Sequence, residues 1–156
     1  TGPEPFIRSD HESVIQKAQD ITKDAGSDLE KMKNIVRWVH DHVRKMPVVT
    51  VPSALSTLEN KKGDCNEHAV LTAALARAVD IPCRVETGLY YLNGKFRYHA
   101  WNAFYAGGWI TADAVYNQIP ADVTHISLTS GEARSETALA GIIGKIKLEP
   151  VNEENR

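Results

Sequence analysis

The sequence Gly63-Asp64-Cys65-Asn66-Glu67-His68 marks the start of a helix and puts a cysteine in its first turn. Asp64 is a favourable N-cap, and Glu67, three residues later, can reach back to the cap in a capping box. The alanine-rich segment that follows contains neither glycine nor proline before Pro82, which favours a helix. We therefore expect a buried helix that carries Cys65 at its N-terminus.

This position of Cys65 suits thiol chemistry. Unpaired backbone N–H groups and the positive end of the helix dipole favour a thiolate there. With an imidazolium nearby, such a site lowers a cysteine pKa from about 8.5 into the range of roughly 3.5 to 7.5. The alternative is an inert, buried cysteine at the start of a core helix, and at this stage both interpretations stay open.

A β-hairpin is predicted after the helix. Cys83 to Leu92 and Lys95 to Tyr105 are rich in β-formers, and Asn93-Gly94 between them is a strong two-residue hairpin turn. Gly107-Gly108 makes a further turn into a third strand that begins at Trp109. The sequence therefore predicts an antiparallel sheet.

His99 and Asp113 lie on neighbouring strands if the sheet pairs antiparallel about Gly107. Asp113 is then a partner for one ring nitrogen of His99. Together with Cys65, these residues supply a thiol nucleophile, an imidazole that takes and returns its proton, and a carboxylate that orients the imidazole.

These residues resemble the transglutaminase-like superfamily, whose members share a papain-like cysteine-hydrolase core. The resemblance covers roughly residues 30 to 150. It rests on the following motifs: Gly63-Asp64-Cys65, the run from Arg77 to Val85, Gly88, His99-Ala100-Trp101, and Trp109 with Asp113. The visible departure is Asp80, where glycine is usual, at the C-terminal end of the helix. That position affects packing rather than chemistry.

The resemblance implies that Cys65 is the nucleophile, that His99 is the general base and acid, and that Asp113 orients His99. It implies an α+β fold in which N-terminal helices and the helix bearing the nucleophile pack on an antiparallel sheet. The activity would be acyl transfer from an amide or peptide substrate through a thioester. Hydrolysis is favoured because water is always present; transfer to an amine and a non-catalytic peptide- or protein-binding module are the alternatives.

Composition and charge narrow the class of protein. The 156 residues, 42% apolar and 24% charged, are typical of a single globular domain spanning 1–156, with 1–8 as a flexible lead-in. The abrupt N-terminus suggests a piece of a longer protein with flanking domains. A net charge of −2 gives no electrostatic case for nucleic acid, and no apolar run approaches the ~20 residues that span a membrane. No cofactor is expected, and the compartment cannot be inferred.

Two amphipathic helices are predicted before the cysteine. Ser9 with Glu12 would cap the first, and Ser27 with Glu30 would cap the second. Trp38, on the second helix, is expected in the core. The other predicted elements are a short turn or helix at 52–58, a strand near 125–128, a helix at about 135–143 and a strand at 145–151.

The second cysteine and the remaining histidines suggest other interpretations. A disulfide between Cys65 and Cys83 is disfavoured, because a helix of about 22 Å separates them and bridged Cα atoms lie within about 7 Å. Cys83 is expected to be buried. Cys65 and His68 have C-x-x-H spacing, but no second tight ligand pair is present, so no metal site is predicted. His40 and His42, two apart on a helix, would point in different directions.

Several residues keep open roles. His68 either lines the site or packs against the sheet, and His11 and His125 give no functional signal. The Cys65 N–H is the natural first oxyanion donor. Candidates for the second donor are Ser53, Ser56, Thr57 and Asn60. Aromatic residues that could flank a peptide groove, or pack on the sheet, are Tyr90, Tyr91, Tyr98, Trp101 and Tyr105.

Overall fold

The computed structural model describes residues 2–48 and 51–131. Within these ranges the helices are α1 (Glu12–Thr22), α2 (Asp28–His42), α3 (Ala54–Asn60) and α4 (Cys65–Arg77). The strands are β1 (Arg44–Lys45), β2 (Lys62–Gly63), β3 (Cys83–Leu92), β4 (Lys95–Tyr105), β5 (Trp109–Ala112) and β6 (His125–Gly131). The helix and strand predicted at 135–143 and 145–151 lie outside the described residues.

The main sheet has the strand order β5-β4-β3-β6, and every pair in it is antiparallel. The β3–β4 hairpin closes at Leu92 opposite Lys95. Asn93 and Gly94 form its turn with φ values of 52° and 78°, the left-handed conformations that a two-residue hairpin turn requires. The predicted hairpin is therefore confirmed. Tyr105 pairs with Trp109 across the next turn, as predicted.

Helix α4 lies between the sheet and the other helices. It packs on β3 and β4, and α1, α2 and α3 all contact it. Every residue from Glu67 to Arg77 is buried, and small alanines let the surrounding elements approach its backbone closely. The α+β fold predicted from the sequence is confirmed.

The start of α1 differs from the prediction. His11, not Ser9, is the N-cap, and its Nδ1 accepts a hydrogen bond from the Ser13 N–H at 3.3 Å. Ser9 is instead buried in the preceding turn, where its N–H donates to the Ile7 carbonyl at 2.9 Å. The cap of α2 is Ser27, as predicted, and its Oγ accepts from the Glu30 N–H at 3.2 Å.

A short parallel pair of strands precedes the cysteine. Arg44 pairs with Lys62, and Lys45 pairs with Gly63. The Met46 N–H donates to the Gly63 carbonyl at 2.9 Å. This pairing ties the segment after α2 to the residues that lead into α4, and so fixes where Cys65 begins.

Asp80 adopts a left-handed conformation, with φ of 63°. This explains why glycine suits the position, because a Cβ makes that conformation costly. The left-handed conformation costs an L-residue roughly 1–2 kcal/mol, and the extra backbone freedom of glycine offsets about 0.5–1 kcal/mol of that gain. We therefore expect Asp80→Gly to stabilise the protein by about 0.5 to 1 kcal/mol, measured by urea unfolding. Asp80→Ala keeps the Cβ and therefore the cost of the left-handed conformation, so its urea midpoint should stay below that of Asp80→Gly. An Asp80→Gly protein that unfolds at lower urea would contradict this account.

Candidate active site

Cys65 is the first residue of α4, and a capping box fixes the backbone around it. The Asn66 N–H donates to Asp64 Oδ1 at 2.8 Å, and the Asp64 N–H donates to Glu67 Oε2 at 2.9 Å. Burial, and then the interaction with Asp64, raise the pKa of Glu67 to about 7. The folded protein therefore favours protonated Glu67, although the Asp64 N–H of the box favours the carboxylate. The stability gained from protonated Glu67 is lost as the pH rises from the ordinary glutamate pKa through 7.

Gly63 is required by close packing against the capping box. A Cβ at this position would lie 2.2 Å from Glu67 Cβ and 2.6 Å from its Cγ. The glycine that the sequence places before Asp64 thus does more than interrupt the preceding segment. It leaves room for Glu67 to fold back over the start of α4.

The thiol of Cys65 lies against strand β4. The backbone N–H groups of Ala100 and of Cys65 itself act on it as hydrogen-bond donors. Two hydrogen bonds join α4 to β4 on either side of this point: Tyr98 Oη donates to Asn66 Oδ1 at 2.9 Å, and Asn102 Nδ2 donates to the Ala69 carbonyl at 2.9 Å. Cys65 is therefore held beside Ala100, the residue that follows His99.

His99 and Asp113 are in direct contact. His99 Nε2 lies 2.7 Å from Asp113 Oδ2, and both side chains are buried. Asp113 follows β5, where its backbone exchanges two hydrogen bonds with Gln118, and its Oδ1 accepts from the Val115 N–H at 2.8 Å. The predicted pairing of the two residues is present, and it leaves Nδ1 of His99 for proton exchange with another group.

Asp113 remains a carboxylate although it is buried. Burial alone would raise its pKa, but hydrogen bonds from His125 and His99 outweigh that effect. With the charge of His99 and the Val115 N–H, they hold the pKa of Asp113 well below its usual range. A buried anion of this kind stabilises the positive charge that develops on a neighbouring imidazole when the imidazole takes a proton.

The pKa of the Cys65 thiol differs from the sequence-based expectation. Burial, followed by the charge of Asp64, raises it to about 12, and the donors on Ala100 and Cys65 only partly oppose this. The helix start was expected to lower the pKa, but it carries Asp64 as its cap. The resting site therefore holds a neutral thiol, which must lose its proton to a base as it reacts.

This protonation state predicts the pH dependence of alkylation. Because the pKa of Cys65 is raised to about 12, its rate constant with iodoacetamide should rise about tenfold per pH unit from pH 6 to 10, without levelling. The measurement uses Cys83→Ser protein and intact mass spectrometry. A small free thiol, which levels near pH 8.5, serves as the reference. A plateau below pH 7 would contradict the prediction and indicate a thiolate–imidazolium pair at rest.

His125 is the residue of this site that sequence reasoning missed. Its Nε2 lies 3.0 Å from Asp113 Oδ2, the oxygen that His99 also contacts, and its side chain is 3% exposed. The strand near 125–128 was predicted, but not its partner. His125 reaches the site because β6 pairs with β3, opposite Tyr90.

Three aromatic rings surround the two imidazoles. Tyr90 lies 5.2 Å from His99 and 4.8 Å from His125, between ring centroids. Trp101 contacts both rings, and Tyr116, which the sequence did not single out, contacts His99 at 5.6 Å. These rings keep water from the Asp113 hydrogen bonds, which strengthens them.

The other aromatic candidates have different positions. Tyr98 is bonded to Asn66, as described above, whereas Tyr91 and Tyr105 are 45% and 44% exposed. The two exposed rings pack on neighbours: Tyr91 on Phe96 and Tyr105 on Trp109.

The remaining histidines are structural. His68 is buried, with Nδ1 2.6 Å from the Asp64 carbonyl and Nε2 3.0 Å from the Val43 carbonyl. His40 contacts the Ala114 and Val115 carbonyls at 3.2 Å, so it braces the segment around Asp113. His42 points elsewhere and stacks on Trp38.

The core assignment of Cys83 is confirmed, whereas Trp38 is only half-buried. Trp38 packs against the core, and Cys83 is fully buried in it. Cys65 and Cys83 are both free thiols.

The oxyanion candidates lie on and before α3. They line a cavity of about 60 Å³ that Glu67 also borders. The Thr57 hydroxyl donates to the Ser53 carbonyl at 2.7 Å, and the Asn60 amide donates to the Ser56 carbonyl at 2.9 Å. These two donors are thus engaged within the helix.

His99, Asp113 and His125 offer three potential metal-ligand atoms within 4.8 Å of one another. Ligands of a tetrahedral zinc ion at about 2.0–2.1 Å would lie about 3.3 Å apart. The two contacts of Asp113 Oδ2, at 2.7 and 3.0 Å, are shorter and match hydrogen bonds.

No described helix has the length and apolar character needed to cross a membrane.

Solved structures similar to this chain include two candidate proteases and a periplasmic domain. A candidate cysteine protease from Cytophaga hutchinsonii has 26% identity and a TM-score of 0.72, covering 87% of this chain and 46% of its own. The periplasmic domain of TgpA from Pseudomonas aeruginosa has 19% identity and a TM-score of 0.56, and the match covers 68% of this chain and 43% of that domain's chain. A candidate protease from Parabacteroides distasonis has 15% identity and a TM-score of 0.51, and the match covers 73% of this chain and 28% of the protease chain. The last two likenesses concern the fold alone.

This chain thus spans less than half the length of these three proteins. It matches no curated protein sequence. A sequence model of the transglutaminase-like superfamily matches residues 15–114, which include Cys65, His99 and Asp113. The chain therefore belongs to the transglutaminase-like superfamily.

Proposed function

We propose that this protein is a thiol-dependent acyl-transfer enzyme that hydrolyses an amide or peptide bond through Cys65, His99 and Asp113. The observation that supports it most strongly is the buried 2.7 Å contact between His99 and Asp113, with the Cys65 thiol against the backbone of Ala100, the residue after His99. A carboxylate bonded to Nε2 fixes the imidazole so that Nδ1 can exchange a proton with the thiol.

The first half of the reaction forms a thioester. Cys65 Sγ attacks the substrate carbonyl while its proton passes to His99 Nδ1, so the high pKa of the resting thiol is no obstacle. The backbone N–H of Cys65, at the N-terminus of α4, donates to the developing oxyanion. When the tetrahedral intermediate collapses, the C–N bond breaks and His99 returns the proton to the leaving amine.

The second half regenerates the thiol. Water attacks the thioester and gives its proton to His99. The C–S bond then breaks, the acid leaves, and His99 reprotonates the sulfur. An amine in place of water would give transfer instead of hydrolysis. For the second oxyanion donor we propose Ser53 or Ser56, since the Thr57 and Asn60 donors are engaged.

The test uses p-nitrophenyl acetate, an activated acyl donor that needs no specific recognition. We expect one acetyl group on the peptide containing Cys65, seen by mass spectrometry, and slow release of acetate. Cys65→Ala and His99→Ala should abolish acylation, and Cys83→Ser should not change it. If acylation is no faster than in Cys65→Ala, the proposal is wrong and the non-catalytic binding module is favoured.

A primary amine, monodansylcadaverine, distinguishes hydrolysis from transfer. We expect water to resolve most of the acyl-enzyme when the amine is present. A fluorescent amide as the main product would favour the transferase.

A further inference from the structure

We propose that His125 is a positioning residue of this site, which holds the Asp113 carboxylate in place through a second imidazole hydrogen bond. The inference rests on the proposed function, because it concerns how Asp113 serves His99. His125 contacts Asp113 and not the reacting atoms, so it would act through the carboxylate alone.

Three donors from separate parts of the chain fix the carboxylate. Asp113 Oδ2 accepts from His99 on β4 at 2.7 Å and contacts His125 on β6 at 3.0 Å. Asp113 Oδ1 accepts from the Val115 N–H at 2.8 Å. Without His125, the carboxylate would keep one donor on each oxygen, and its orientation toward His99 would be less tightly fixed. His99 would then be oriented less precisely toward the reacting atoms.

The contacts of the second nitrogen of His125 favour a charged ring. Its Nδ1 lies 3.2 Å from the Asp122 carbonyl and 3.3 Å from Asp122 Oδ1. Both partners are acceptors, as is Asp113, so the ring bonds to all of them only when both nitrogens carry protons. Burial would lower the pKa of His125, but Asp113 and then Asp122 raise it overall.

Two imidazoles therefore share one buried anion. The positive charge of His125 partly neutralises Asp113, so the negative charge of Asp113 does not act on His99 alone. Among the described residues, the titratable groups that contact His125 are Asp113, Asp122, His99 and Tyr90.

His125 also lies outside the part of the chain that the superfamily model matches, which ends at residue 114. Its position depends on β6, whose pairing with β3 changes register between Thr87 and Gly88. The second donor is thus supplied by β6, a strand that lies beyond the matched region.

The experiment separates the hydrogen bond from the charge. His125→Phe removes both, and His125→Gln keeps an amide donor without the charge. The matched control is His42→Gln, at the exposed C-terminal end of α2. The readout is the rate constant for acylation of Cys65 by p-nitrophenyl acetate in Cys83→Ser protein. We expect His125→Phe to lower it by about 10- to 100-fold, His125→Gln by less, and His42→Gln not at all.

The double variant tests whether His125 acts through Asp113. In an Asp113→Asn background, adding His125→Phe should cause no further loss. The proposal would be overturned if His125→Phe lowered the acylation rate constant in the Asp113→Asn background as much as it does in the wild type. It would also be overturned if His125→Phe alone reacted as fast as the wild type. A stoichiometric zinc ion that His125→Phe removes would overturn it as well, since His125 would then be a metal ligand.

A measurement independent of activity distinguishes failure of this inference from failure of the proposed function. Imidazole ¹⁵N spectra report the protonation of His125 whether or not Cys65 reacts. We expect both nitrogens protonated at pH 7, and titration at lower pH in Asp113→Asn. A neutral ring at pH 7 would overturn the inference even if Cys65 is acylated normally.

Discussion

Replacing Asp113 by asparagine should lower the rate constant for acylation of Cys65 by about 10³- to 10⁴-fold, the loss that such a triad suffers when its acid becomes an amide. The amide has no charge to stabilise a protonated His99, and its NH₂ group can favour the wrong tautomer of the ring. Asp113 is fully buried between two imidazoles, so solvent cannot replace the lost acceptor.

The acylation is followed with p-nitrophenyl acetate, and thermal unfolding checks that the variant is folded. Asp24→Asn, on an exposed turn, is the matched control and should react like the wild type. A folded Asp113→Asn protein that retains acylation to within about tenfold would exclude the proposed role of Asp113.

The second large effect is expected at Gly88, which lies opposite His99 in the β3–β4 pair. A Cβ there would lie 2.0 Å from the Ile126 carbonyl oxygen and 3.0 Å from the Leu128 nitrogen. Both are backbone atoms, so no side-chain rotation can relieve the clash. We expect Gly88→Ala to cost at least the upper end of the roughly 1–3 kcal/mol of ordinary overpacking, or to displace β6 from the sheet.

Urea unfolding measures this cost. Gly108→Ala is the matched control, because a Cβ there meets no atom within 4 Å, and it should leave the unfolding midpoint nearly unchanged. A displaced β6 would also remove the contact of His125 with Asp113. Equal midpoints for the two variants would contradict the described pairing of β3 with β6.

Much of the fold could be predicted because its signals are local. The capping box at Asp64 and Glu67 depends on residues three positions apart, and the turn at Asn93-Gly94 depends on two adjacent residues. The contact of His99 with Asp113 could be predicted from the turn at Gly107 alone, because that turn pairs β4 with β5. Each of these predictions is confirmed by the geometry, whereas the catalytic roles remain proposals.

The features that sequence reasoning missed depend on distant parts of the chain. His125 joins the site only because β6 pairs with β3, and no residue pattern encodes that choice of neighbour. The pKa of Cys65 depends on burial between α4 and β4, which outweighs the local effect of the helix start. Ser9 has the residue type of a cap, but tertiary packing buries it in a turn and leaves that position to His11.

The neutral resting thiol of Cys65 has a consequence for oxidative ageing. Peroxide and other oxidants react with the thiolate, which is scarce at pH 7 when the pKa is raised to about 12. Purified protein should therefore keep its sulfur reduced during storage in air, without added reductant. The sulfur becomes a strong nucleophile only while a base takes its proton, so its reactivity is confined to the moment when a substrate is in place.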